Sequence, residues 1–144
     1  MQVIHLTDGD DTASYGAGQQ CVDANRGADT VHLGGDIDVG VGEEGADLLV
    51  GDGGKDELYG LQGGDTLRGE DHADFMIGSL GRDTMIGGPG DDFIADGPGV
   101  DYLRGNAGDD ELFHCHGNGF QDDDIAGFET HSHVPEGTVW CEAT

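Results

Sequence analysis

The chain is predicted to be an all-β solenoid, a stack of short units that recur in phase over three quarters of its length. Three observations predict it. Glycine fills 29 of 144 positions, and each interior Gly costs a helix roughly 1 kcal/mol relative to Ala. Cut every nine residues from Gly42, the chain reads GEEGADLLV, GDGGKDELY, GLQGGDTLR, GEDHADFMI, GSLGRDTMI, GGPGDDFIA, DGPGVDYLR and GNAGDDELF. The same register runs backwards without insertion through LGGDIDVGV, ANRGADTVH, YGAGQQCVD and LTDGDDTAS, so twelve units cover residues 6–113.

Three columns keep phase. The sixth place is Asp in eleven units, at Asp11, Asp29, Asp38, Asp47, Asp56, Asp65, Asp74, Asp83, Asp92, Asp101 and Asp110, with Gln20 the exception. The fourth place is Gly in ten, including Gly9, Gly27, Gly45, Gly54, Gly63, Gly81, Gly90, Gly99 and Gly108; Asp36 and His72 depart. The eighth is apolar in eleven, from Ala13 to Leu112, and only Gly40 breaks it. Strand side chains alternate faces, so an inward eighth residue sends the seventh and ninth outward. The core is then one side chain wide.

These columns resemble the repeats-in-toxin (RTX) nonapeptide G-G-x-G-x-D-x-U-x, where U is a large apolar residue. The likeness, of the hemolysin type and of the β-roll at the C-terminal end of serralysins, implies a parallel β-roll. In it the first six residues of a unit turn and bind Ca²⁺, and the last three form a strand.

The chemistry of the turn agrees. Five basic and 31 acidic residues leave a net charge of −26, so a compact fold needs cations, since close like charges repel. The same balance excludes nucleic acid and anionic membrane surfaces, which require basic patches. Ca²⁺ takes 6–8 oxygens from carboxylates and main-chain carbonyls. One Gly-rich turn with one carboxylate cannot supply them, but two stacked turns can. Asp and Gly also populate ordinary turns, yet turn propensity alone imposes no nine-residue phase.

With two units per coil, one edge stacks Asp11, Asp29, Asp47, Asp65, Asp83 and Asp101. The other stacks Gln20, Asp38, Asp56, Asp74, Asp92 and Asp110. The expected ligands are the eleven aspartates and the nine fourth-place glycines named above, holding about nine ions and about +18 of charge. A core this narrow, between turns that repel one another, is expected to fold only when Ca²⁺ is bound.

The outward columns differ. One sheet shows Thr12, Thr30, Leu48, Thr66, Thr84 and Tyr102. The other shows Val39, Val41, Tyr59, Phe75, Ile77, Phe93, Ala95 and Phe113, with Cys21, Asp23, Glu57 and Glu111 among them, and is apolar enough to mark self-association or partner docking. Residues 1–113 are expected to form the roll and 114–144 a C-terminal capping segment, with Phe120, Ile125, Phe128, Val134, Val139 and Trp140 able to cover the last coil. Within that segment Cys115 and Cys141 are candidates for a disulfide. His114, His116, His131 and His133 are candidates for a transition-metal site whose spacing fits no standard zinc motif.

No cleavable signal peptide or ~20-residue apolar span is visible. The resemblance implies export by a type I route that reads an uncleaved C-terminal signal, hence a secreted, extracellular protein. No G-x-S-x-G, P-loop or dinucleotide fingerprint stands outside the repeat phase. The expected function is a non-enzymatic calcium-binding module that binds a partner or serves structurally, with a self-assembling extracellular adhesive protein as one alternative. The other alternative is an accessory module of a secreted protease, lipase or alginate epimerase; Met1 and the lack of a linker weigh against a fragment.

Overall fold

In a computed structural model, residues 1–114, 124–127 and 130–133 are described, and every regular element among them is a strand. One sheet holds β1 (Gln2–His5), β3 (Gln20–Asp23), β5 (Val39–Gly45), β7 (Glu57–Gly63), β9 (Phe75–Gly81), β11 (Phe93–Ala95), β13 (Glu111–His114) and β15 (Thr130–His133), in that spatial order. The second holds β2 (Thr12–Ser14), β4 (Thr30–Gly35), β6 (Leu48–Gly53), β8 (Thr66–Asp71), β10 (Thr84–Pro89), β12 (Tyr102–Ala107) and β14 (Asp124–Ala126). Successive strands alternate between the sheets and all pairs are parallel, which makes a β-roll of about six turns.

The register is that of two units per coil. Leu49 faces Leu67, Leu58 faces Met76 and Met76 faces Ile94, each pair eighteen residues apart. Alternation along each strand then lines the eighth places up inside. Val22, Val31, Leu49, Leu58, Leu67, Met76, Met85, Ile94, Leu103 and Leu112 are all buried, whereas Ala13, near the open end, is half-buried. The column begins before the first full unit, because β1 sets Ile4 opposite Val22 and against the core.

Two features depart from the sequence expectation. Gly40 leaves no gap in the core. Leu33, the first residue of the same unit, turns inward and is fully buried, with its Cδ1 3.2 Å from where a Gly40 Cβ would stand. The strands are also longer than three residues. β5, β7 and β9 each run seven residues, through the ninth place into the first four places of the next unit. Stacked turns are the reason: Glu43 pairs with Leu61 and Leu61 with Ser79, so turn backbones join the ladder too.

At the C-terminal end the nine-residue phase stops, but the coil continues for one rung. β14 pairs with β12 and β15 with β13, setting Ile125 opposite Leu103 and His131 opposite Leu112. Most of the expected capping segment lies outside the described residues, as do Cys115, Cys141, His116, Phe120, Phe128, Val134, Val139 and Trp140, and the side chains of His114, Ile125, His131 and His133.

Candidate metal centres between stacked turns

From Asp29 onward, each sixth-place aspartate is held by the turn one coil before it. The main-chain N–H of Asp47 donates to Oδ1 of Asp65 at 2.9 Å, and that of Asp65 to Oδ1 of Asp83 at 2.8 Å. The pattern recurs from Asp11 to Asp101 on one edge, beginning with Asp11 N–H to Asp29. On the other it runs from Gln20 to Asp110. The structure thus assembles both predicted edges with their predicted neighbours. These carboxylates sit inside the roll, and from Asp29 to Asp110 none is more than 3 % exposed.

The other carboxylate oxygen is what calls for a cation. Oδ2 of Asp29, Asp38, Asp47, Asp56, Asp65, Asp74, Asp83 and Asp92 is buried and accepts no hydrogen bond. A buried, half-satisfied carboxylate costs several kcal/mol unless a counter-charge meets it. In the units that begin with glycine, room for the carboxylate comes from the first place. A Cβ on Gly42, Gly60 or Gly78 would stand 2.6 Å from Oδ2 of Asp47, Asp65 or Asp83. At these three places a side chain would collide with the carboxylate as it stands.

Main-chain oxygens complete the cradle. A Cβ on Gly63 would run into the Gly45 carbonyl and stand 3.1 Å from Oδ1 of Asp65. Gly45, Gly81 and Gly99 are placed alike against the carbonyls of Gly27, Gly63 and Gly81. On the opposite edge the Cβ directions of Gly54 and Gly90 meet the carbonyls of Asp36 and His72. The two departures from the glycine column therefore keep its oxygen ladder, at the cost of a left-handed backbone, with φ of 87° and 86°. Among the described residues no three acidic, His or Cys side chains gather on one point. Each ion would depend on carbonyls as much as on carboxylates. A hard cation with a flexible shell of 6–8 oxygens fits this donor set, and Ca²⁺ is that cation.

The turns have a second requirement that the columns did not reveal. The second place is left-handed in ten units, and non-glycine residues occupy seven of those: Asn25, Glu43, Asp52, Leu61, Glu70, Ser79 and Asn106. A non-glycine residue in this region costs roughly 1–2 kcal/mol. Leu61, at φ 76°, is the least suited.

Burial dominates the titration. It pushes the carboxyls of Asp47, Asp56, Asp83 and Asp92 up to about 6, and that of Asp74 up to about 7. The N–H bonds from the preceding turn pull the other way, and neighbouring carboxylates add to the rise. Asp29, Asp38 and Asp65 also move up, with burial the main cause.

The N-terminal end differs. Oδ2 of Asp11 accepts from both the N–H and the hydroxyl of Thr7, at 2.8 and 2.7 Å. Thr7 thus does locally for Asp11 what a cation would do elsewhere. Gln20, the one non-aspartate of its column, is buried with an unpartnered Oε1.

A model of the RTX calcium-binding nonapeptide repeat (4 copies) matches residues 32–67, 50–85 and 86–114. No curated protein and no solved structure matches the chain. The matched residues make up more than half of the sequence and are those whose turns carry the buried aspartate ladder, and the repeats of this family bind Ca²⁺. This chain belongs to the RTX calcium-binding nonapeptide-repeat family.

Proposed function

We propose that the chain is a secreted, non-enzymatic module that folds around about nine Ca²⁺ ions. Each ion sits between two stacked turns, held by the sixth-place aspartates and by carbonyls of the fourth-place residues. The observation that carries this reading is the file of buried Oδ2 atoms without donors, from Asp29 to Asp92. Residues 1–113 form the calcium-dependent roll, and 114–144 close its end. Proteins with RTX repeats are typically extracellular, where free Ca²⁺ is high enough to keep modest sites filled. No helix is long and apolar enough to cross a membrane among the described residues. Far-UV circular dichroism during a Ca²⁺ titration, with bound ions counted, tests it. Strand signal should rise cooperatively with Ca²⁺ and not with Mg²⁺; strand signal unchanged by chelator would end the proposal.

A second reading, assembly through the apolar sheet, has its own observation. Outward side chains of β5 to β13 bring Val39, Val41, Tyr59, Phe75, Ile77, Phe93, Ala95 and Phe113 onto one face. The Phe75 and Phe93 rings stack 4.9 Å apart, and Tyr59 lies 6.1 Å from Phe75. Five strands at ~4.8 Å spacing make a strip of only about 200 Å², well below the ~800 Å² per partner of a stable dimer. Contact through this strip alone would be weak and would matter only in arrays, as in an adhesive layer. Light scattering with and without Ca²⁺ separates the two, since a module stays monomeric and an assembling protein grows. An activity screen on the intact chain tests the accessory-module alternative.

A further inference from the structure

We propose that Asp96 makes the gap between turns 78–83 and 96–101 the tightest calcium site of the stack, acting as a nearby charge rather than as a ligand. The inference rests on the calcium reading above. Asp96 occupies the first place of its unit, where the other seven units from Gly42 to Phe113 carry glycine. At all seven glycines the Cβ direction meets Oδ2 of the aspartate five residues on. The Asp96 side chain therefore leaves the backbone toward Asp101. It is only 1 % exposed, and its Oδ1 accepts the Gly97 N–H at 2.6 Å.

The turn is locked against its predecessor, because the Ser79 N–H donates to the Asp96 carbonyl at 2.7 Å. Across the gap Asp83 is equally buried, its Oδ2 has no donor, and the Asp96 charge reaches it. Other turns also have extra carboxylates nearby, but Asp36, Asp52, Asp71 and Asp91 are exposed, and water screens such charges strongly. Asp96 is the buried one. A divalent ion in this gap meets a third carboxylate field that its neighbours lack, in a medium where Coulomb attraction is less damped.

The test is release of Ca²⁺ from the saturated, full-length chain into excess fluorescent chelator, followed by stopped flow. One ion should leave about tenfold more slowly than the rest, equivalent to ~1.4 kcal/mol. Asp96→Gly, which restores the residue common at this place, should abolish the slow phase and leave the number of released ions unchanged. Asp96→Asn, which keeps the size and removes the charge, should do the same and covers a glycine variant that fails to fold. A slow phase surviving in both variants overturns the proposal, as does the loss of a whole ion from either, which would make Asp96 a ligand. A wild-type chain that binds no Ca²⁺ defeats the calcium reading itself, and this proposal with it.

Discussion

The first four units, residues 6–41, and the eight that follow share one period but differ in what fills the first place. In the early units it holds Leu6, Tyr15, Ala24 and Leu33; Ala24 and Leu33 are fully buried, and Leu6 and Tyr15 pack against the core. From Gly42 onward it holds glycine or Asp96. The early coils are thus two apolar side chains thick beside a carboxylate file that begins at Asp29, and the later ones have one apolar column beside that file. The later turns also carry more left-handed non-glycine backbone, at Glu43, Asp52, Leu61, Glu70, His72, Ser79 and Asn106, against Asn25 and Asp36 in the early units. One position in nine decides whether a turn adds apolar burial to its buried carboxylate or has the carboxylate alone.

Chelation should show the contrast at its largest. With Ca²⁺ removed, hydrogen exchange at the Asp47, Asp56 and Asp65 amides should accelerate by orders of magnitude, and strand signal should fall with it. If the coils from Gly42 onward keep their protection, the dependence on cations assigned to them is wrong.

Single aspartates should rank by position. Asp65 borders two gaps, whereas Asp11 borders one and already has Thr7 on its Oδ2. Each filled site adds about 2.7 kcal/mol at a free Ca²⁺ of 100 Kd. Asp65→Ala should therefore lose two ions and about 5 kcal/mol in thermal unfolding, with Asp11→Ala losing half as much or less. Equal losses would erase the distinction.

Leu33→Ala probes the burial-held end. It opens a cavity beside Gly40 and should cost about 2–5 kcal/mol. The number of bound ions, read by titration calorimetry, should not change.

Acid tests the carboxylate file. In the metal-free chain a carboxyl raised to about 6 or 7 favours the folded state at low pH. That contribution is complete below the ordinary value of 3.8 and is lost as pH rises through 6 to 7. Calcium binding has the opposite sign, because the ligands must shed their protons. Apparent affinity should fall up to tenfold per pH unit for each proton taken up as pH drops below about 7, and binding near neutral pH should release protons measurable in weak buffer. Affinity independent of pH between these limits would contradict the burial assigned to Asp74.

The smallest effect concerns backbone strain. Leu61→Gly should stabilise the calcium-loaded roll by about 1 kcal/mol by relieving its left-handed φ, an increment readable as a higher melting temperature. No gain would mean that Leu61 packing offsets the strain.

Much of the site was legible before any coordinates. The Asp11-to-Asp101 and Gln20-to-Asp110 files follow from counting by eighteen, because a roll of two units per coil admits no other neighbours. The inward column from Val22 to Leu112 follows from strand alternation. The rescue of Gly40 by Leu33 could not be read, since it needs the path of a turn that swings a first-place side chain back into the core. The signal was there in weak form: Leu6, Tyr15, Ala24 and Leu33 are the apolar first places. The left-handed second place was hidden because Glu, Asp, Leu and Ser there mask the glycine that marks such positions.

The sequence by itself determined the period, the two edges, the inward column and the need for cations, because these depend on local alternation and on charge summed along the chain. Only the tertiary structure decided which oxygens lack partners, how far the strands run and that Asp96 is buried. Each of those depends on how closely one coil approaches the next, a distance set by stacked backbones and written in no single repeat.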